Sequence, residues 1–306
     1  MSTNAFPDEA RRPPAGAGHR QRLISGLPVA ERQLLLAGVS TAVLEGGAGE
    51  PVVLLHGPGE FGAKWLRVIP DLATTHKVIA PDLPGHGNST VREGRVGPED
   101  VVGWLGALVE RTCPSPPTVV GHVLGGAIAA RFAIAHGDRI ARLVLVDTLG
   151  LAPFRPAPMF ALTMIGFLAR PTERSYTRFM RQCSFDLDGL REQMGPRWEP
   201  YASYNLELAR APSARVAGRM MRAVGLPRIP PEELARITAP TALIWGRHDR
   251  ANRLRVAEKA SARYGWRLHV IETCADDPPR DQPQAFLKAL RAVLGPGSIT
   301  RPWPSE

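Results

Sequence analysis

Chemistry in this chain rests on carboxylates and imidazoles. Asp249 closes the segment Trp245-Gly246-Arg247-His248-Asp249, and the pair Asp276-Asp277 precedes Pro278-Pro279. Glu60 follows the stretch His56-Gly57-Pro58-Gly59. A carboxyl serves as acid or base, and two held close together share a proton, because both cannot ionise cheaply. Cys113, Cys183 and Cys274 form no C-x-x-C pair and have no metal-ligand spacing. Cys274 reads as a small buried hydrophobe rather than a thiol nucleophile. Ser89, after a glycine-rich turn, reads as a cap for backbone groups. No nucleotide-binding glycine pattern or metal cluster is present in the sequence, so no cofactor and no metal are expected.

Such groups act only when a scaffold positions them. The chain has 306 residues, 44% hydrophobic and 22% charged, which suits one large α/β domain with a sizeable core. The most apolar stretch, Phe160 to Ala169, is about half the ~20 residues of a spanning helix, so no membrane partner is expected. Met1 to Gly18 is polar and Pro-rich without an apolar signal core, which predicts a cytoplasmic location and reduced thiols. The net charge is +9, but the arginines are spread along the chain and no nucleic-acid motif accompanies them. No nucleic-acid partner is expected.

Short apolar runs alternate with helical spacing. Glu31–Ala37 and Ser40–Glu45 read as an antiparallel pair, and Pro51–Leu55, Lys77–Ala80, Thr118–Val120 and Leu143–Val146 as buried strands. Phe61–Ala73, Pro98–Arg111 and Gly125–His136 carry helical patterns. The rhythm breaks after the sixth strand and resumes with Thr241–Trp245, a helix over Asn252–Tyr264, the strand Arg267–Ile271 and a closing helix over Gln282–Leu294. The pattern predicts an α/β fold: a mostly parallel eight-stranded sheet with helices on both faces and a helical lid inserted after strand 6. The divisions are a disordered tail over 1–19, core over 20–149, lid over 150–239, core again over 240–294, and a second tail over 295–306.

Four motifs then fall in order. Val119-Val120-Gly121-His122-Val123-Leu124-Gly125-Gly126 joins a strand to a helix and resembles the nucleophile elbow of the α/β-hydrolase superfamily, G-x-S-x-G. Leu54-Leu55-His56-Gly57-Pro58-Gly59 resembles its oxyanion loop. Asp82-Leu83-Pro84-Gly85-His86-Gly87-Asn88-Ser89 resembles the turn after its fourth strand, and Asp249 stands where the family carries its orienting acid. The resemblance covers about residues 31 to 294.

Two positions depart from it. Val123 stands at the nucleophile's place, and an isopropyl group cannot form an acyl-enzyme. Asp276 stands at the place of the base histidine, by alignment on Pro278, Pro283 and Phe286. Serine-triad hydrolysis is therefore not expected. The resemblance implies that Asp249 and Asp276 come close and share a proton, with Asp277 as the alternative should the loop be shifted by one. It also implies oxyanion donors from the N–H of Leu124 and from Gly59 or Glu60, since Pro58 has no N–H. Glu60 reads either as a helix-dipole acid or as a third acid facing the ligand. His56 and His122 orient the loop and the elbow, with His122 the nearer to a ligand.

The lid residues, Phe154 and Phe160 among them, imply an apolar cavity floored by Val123. The lid arginines, Arg155, Arg170, Arg174, Arg178 and Arg181, read as a solvated face, the alternative being recognition of an anionic substrate. The expected partner is an apolar, carbonyl-bearing small molecule, and a homo-oligomer stays open. The leading reading is an enzyme catalysing a non-hydrolytic step such as cyclisation, dehydration or isomerisation. A ligand-binding protein without turnover and a hydrolase using activated water are the alternatives.

Overall fold

A computed structural model describes residues 18–91 and 96–295. Its strands are β1 (Ala30–Leu36), β2 (Val39–Gly46), β3 (Pro51–Leu55), β4 (Lys77–Pro81), β5 (Thr118–His122), β6 (Arg142–Val146), β7 (Thr241–Gly246) and β8 (Arg267–Ile271). They form an eight-stranded sheet in the order β1-β2-β4-β3-β5-β6-β7-β8. β2 runs antiparallel to both β1 and β4, and every other pairing is parallel. This is the expected α/β architecture. Of the expected tails, only residues 18, 19 and 295 are described, and His19 already opens a helix, His19–Ile24.

Alternation along the buried strands supplies two cores. Val52, Leu54, Val120 and Val144 face one side, with Trp65 and Phe286 packed against them. Val53, Leu55, Val119 and Leu143 face the other, under helices Pro98–Thr112 and Leu124–Ala135. Successive side chains on a strand point to opposite faces, so continuous apolar runs mark strands covered on both sides.

Two elements are shorter than their patterns predict. The segment Phe61–Ala73 is a 3₁₀ turn, Gly62–Arg67, and a single α turn, Ile69–Leu72. Pro70 breaks it, because its ring opposes the carbonyl four residues earlier and it donates no N–H. The helix predicted from Asn252 begins at Arg255. The N–H groups of Ala251 and Asn252 are instead bound to Asp249 Oδ1, at 2.7 and 2.8 Å.

The segment between β6 and β7 carries six α-helices among the described residues, from Pro158–Ala169 to Pro231–Leu234. Polar ties pin it to the core. Arg280 donates to the Cys183 carbonyl (2.9 Å), and the Phe185 N–H donates to Asp281 (3.1 Å). Arg250 donates to the carbonyls of Gln182 and Ser184. The sheet order reverses between β3 and β5, and in open α/β sheets ligands bind beyond the carboxyl ends of strands at such a reversal. The loops after β3, β5, β6, β7 and β8 all end there.

Candidate active site

At the end of β5 the chain must turn sharply into helix Leu124–Ala135. Gly121 permits the close approach: a Cβ there would lie 2.5 Å from the Gly125 carbonyl oxygen and from Gly126 Cα. Val123 occupies the turn with φ 48° and ψ −102°. A β-branched residue in that region is strained, by about 1–3 kcal/mol. Hydrogen bonds on every side hold it. Its N–H donates to the Val146 carbonyl (3.0 Å), and its carbonyl accepts from Leu149 and Ala127 (3.2 Å each). The next glycine, Gly125, donates to the His56 carbonyl (3.1 Å). The isopropyl group is half-buried at the apex.

Behind the apex lies a buried ammonium. Lys64 Nζ is 2.6 Å from His122 Nδ1, 3.0 Å from Asp277 Oδ1 and 3.5 Å from Glu60 Oε2. Lys64 donates to Nδ1, so the proton of the imidazole is on Nε2, which donates to the backbone carbonyl of Asp276 at 2.7 Å. That bond ties the loop after β8 to the elbow. Glu60 turns back to accept from the Gly57 N–H at 2.7 Å. Burial opposes its ionisation, but the Lys64 charge together with His122 and His56 outweighs this and holds the carboxyl well below the usual range. Glu60, His122 and Asp277 have the ligand types of a metal site. Lys64 Nζ stands among them and already supplies the cation.

The adjacent aspartates therefore differ in kind. Asp277 is only 1% exposed and lies between Lys64 and Arg280 Nη1 (3.1 Å). Burial opposes its charge, yet the two cations lower its pKa. Asp276 is 13% exposed, and its one ion pair among the described residues is a long 3.8 Å contact with Arg280. Burial raises its pKa well above the carboxylate range; Arg280 opposes this, and the charges of Asp249 and Asp277 add to it. Of the two, Asp276 is the accessible proton carrier.

Asp249 is placed at the end of the β7 loop, as its position in the sequence implies, but its direct partner is Asp147 at the end of β6. Asp147 Oδ1 accepts from the Gly246 N–H (3.0 Å), and Asp249 Oδ1 accepts from Ala251 and Asn252. The Oδ2 atoms of both are buried without a hydrogen-bond partner among the described residues, and each carboxyl feels the other's charge. Burial, then the charge of Asp249, drives the Asp147 pKa far up, toward the protonated form. Burial also raises Asp249, to about 7. Asp276 feels the charge of this pair rather than forming its inner half. The Asp249–Asp276 pair inferred from the sequence is joined by a third buried carboxyl, Asp147, whose charge environment includes both.

Other expected residues fall as follows. Leu124 is buried and opens the helix, so its N–H has no intrahelical acceptor. Gly59 is exposed, with φ 71°. His56 bridges loops by pairing with the Gly57 carbonyl (2.7 Å) and accepting from the Leu83 N–H (2.9 Å). Ser89 accepts from Ala42 and donates to Asp82, a capping role. Cys274 is buried, and burial pushes its thiol up, away from nucleophilic use. Phe160 packs on Phe179, and Phe154 is half-buried against the same core. Close to the elbow, a Cβ on Gly225 would lie 3.2 Å from Leu124 Cδ1, so the turn Met221–Gly225 rests directly on the helix start. Two hollows of about 210 and 450 Å³ flank helix Pro98–Thr112, and neither is lined by Val123 or Asp276.

Three residues that complete the site escaped the sequence reading. Lys64 is a lone charge in the apolar run Phe61 to Leu66, Asp147 ends a buried strand, and Arg280 follows two prolines. A charge in an otherwise buried segment was the available signal in each case.

With this geometry in view, the comparisons with known proteins are specific. Residues 50–276 match the family described as alpha/beta hydrolase fold, and the chain belongs to it. The 2-hydroxy-6-oxo-2,4-heptadienoate hydrolase of Pseudomonas putida is 36% identical over 125 residues, 40% of this chain and 45% of that protein. The chain thus spans less than half the length of that relative. The pimeloyl-acyl-carrier-protein methyl ester esterase of Aeromonas hydrophila is 27% identical over 270 residues, 84% of this chain and 100% of that protein. The structure of the 2-hydroxy-6-oxo-6-phenylhexa-2,4-dienoate hydrolase of a Rhodococcus species is similar at TM-score 0.73 and 25% identity, covering 88% of this chain and 99% of that one. These relatives are hydrolases and an esterase.

Two measurements follow from the buried charges. Lys64→Met leaves Glu60 without its cation and Asp277 with only one. Urea unfolding is expected to show a loss of about 3–5 kcal/mol, partly recovered by adding Glu60→Gln. A loss below about 1 kcal/mol would show that the ammonium does not hold the loops. The second concerns pH. The folded state keeps a proton on Asp249 from the ordinary value of 3.8 up to about 7, where the unfolded chain releases it. This contribution to stability is full below 3.8 and lost as pH rises through about 7. Asp249→Asn keeps the Oδ1 acceptor and removes the titration. Its stability relative to the parent chain should therefore climb across that pH range, and parallel pH curves would contradict the assignment.

Proposed function

We propose that the chain is an acid–base enzyme on the hydrolase fold, acting without a covalent intermediate on an apolar, carbonyl-bearing small molecule. The observation that carries this reading is the position of Asp276. Its backbone is bound to the elbow through His122, and its carboxyl, pushed toward the protonated form by burial, is the accessible acid of the set. Val123 gives no electron pair for acyl transfer, so a substrate carbonyl above it would meet only backbone donors and carboxyls.

In this scheme the N–H of Leu124, at the positive end of its helix, receives the developing oxyanion. Asp276 in its ionised form, made more basic by burial, removes the proton beside the carbonyl and, now protonated, returns one to carbon. The Asp147/Asp249 pair behind it adjusts its charge as the proton moves. Enolisation is the shared first step of isomerisation, dehydration and cyclisation, so the scheme specifies that step and not the product. Support for a carbonyl substrate comes from the relatives, two of whose names specify oxo acids.

A second reading, ligand binding without turnover, is favoured by one observation. The lid turn Met221–Gly225 rests on the elbow helix, and Met220 and Val224 are fully buried there. Exchange of carbon-bound hydrogen separates the two. In D₂O, with a panel of apolar ketones and enones, the parent protein should catalyse deuterium incorporation next to the carbonyl. Asp276→Asn should reduce that rate by about 10²-fold or more in a variant that stays cooperatively folded and, at neutral pH, is no less stable than the parent. No exchange with any compound, together with ligand retention equal in parent and variant, would establish the binding reading instead. Ester hydrolysis that survives Asp276→Asn would point to activated water acting from elsewhere.

A further inference from the structure

The lid presents a surface that the site does not use. In helix Pro158–Ala169 one side is packed inward, where Phe160 meets Phe179 and Phe167 stacks on the same ring. On the other side Met159, Leu162, Ile165 and Leu168 are 54%, 64%, 60% and 66% exposed. Single exposed apolar residues are ordinary; four on one helix form a patch.

The patch has a basic border. The neighbouring helix, Glu173–Cys183, buries Tyr176, Met180 and Cys183 and exposes Arg174, Arg178 and Arg181 at spacings of four and three. Arg155 and Arg170 flank the apolar helix and are also exposed. No acidic residue lies between Gly150 and Thr172, and Glu173 is the one acid in the hairpin. Arg181 pairs with Asp188. Among the described residues, Arg155, Arg170, Arg174 and Arg178 have no carboxylate partner.

We propose that this lid hairpin docks on an anionic lipid surface. An apolar ridge beside a row of arginines matches the boundary between acyl chains and acidic headgroups, where an interfacial helix sinks about 5–10 Å. Each arginine near such a surface adds attraction of about fivefold in partitioning, and the net charge of +9 assists at long range. A second copy of the chain fits less well. Two-fold pairing of the same patch would bring two uncompensated arginine rows together. The length argument against a spanning helix stands, because the proposed contact lies on the membrane rather than across it.

Cosedimentation of the full chain with vesicles tests the proposal. The protein should pellet with phosphatidylcholine vesicles containing phosphatidylglycerol and much less with phosphatidylcholine alone, and about 0.5 M NaCl should weaken binding. Leu162→Asp/Ile165→Asp and Arg174→Glu/Arg178→Glu should each reduce binding by about tenfold or more, with unfolding curves unchanged because all four positions are exposed or at the surface. A parent protein that stays in solution with the acidic vesicles would overturn the proposal, as would variants that bind like the parent. A dimer in sedimentation velocity that is abolished by the aspartate variant, without vesicle binding, would assign the patch to a second copy instead.

Discussion

One buried ammonium decides how this site is put together. Lys64 has no access to solvent, and its three partners come from different loops: Glu60 after β3, His122 at the end of β5, and Asp277 after β8. An isolated charge in that position would be too costly to keep, so the carboxylates must stay near it and their loops must follow. The consequence reaches the surface of the site through a single imidazole. His122 accepts from the lysine on one nitrogen and with the other holds the Asp276 carbonyl against the elbow.

The same arrangement divides labour among the acids. Glu60 and Asp277 face cations and remain charged. Asp147, Asp249 and Asp276 are buried with too few cations, and their pKa values rise. Charge partners and proton carriers are thus separated by what each carboxyl faces, although Asp276 and Asp277 are neighbours in the chain. The backbone of the turn retains the strain that the family's elbow requires, with φ 48° at Val123. The turn persists although the side chain at its apex has no nucleophilic atom. Backbone geometry and side-chain chemistry have come apart at this one residue.

Much of this was legible in the sequence. The strands read correctly because both faces of the sheet are covered, which leaves continuous apolar runs. The elbow read correctly because Gly121, Gly125 and Gly126 have contacts that no larger residue fits. Helix boundaries near Pro70 and Asn252 were misread, since the proline and the Asp249 side chain compete with helical hydrogen bonding. Asp147 was missed beside Asp249 because it lies about 100 positions away in the chain, and only the register of β6 beside β7 brings the two together. Lys64 was overlooked for a related reason: nothing in its local pattern announces partners drawn from three loops.

We propose that position 276 faces position 123 in a catalytic geometry, with the chemistry changed only by the side chains. Restoring those side chains tests it most directly. The double variant Val123→Ser/Asp276→His should gain hydrolysis of p-nitrophenyl esters and become labelled at position 123 by a fluorophosphonate, while the parent and each single variant stay unlabelled. A folded double variant that neither hydrolyses nor labels would show that the loop and the elbow do not meet as described.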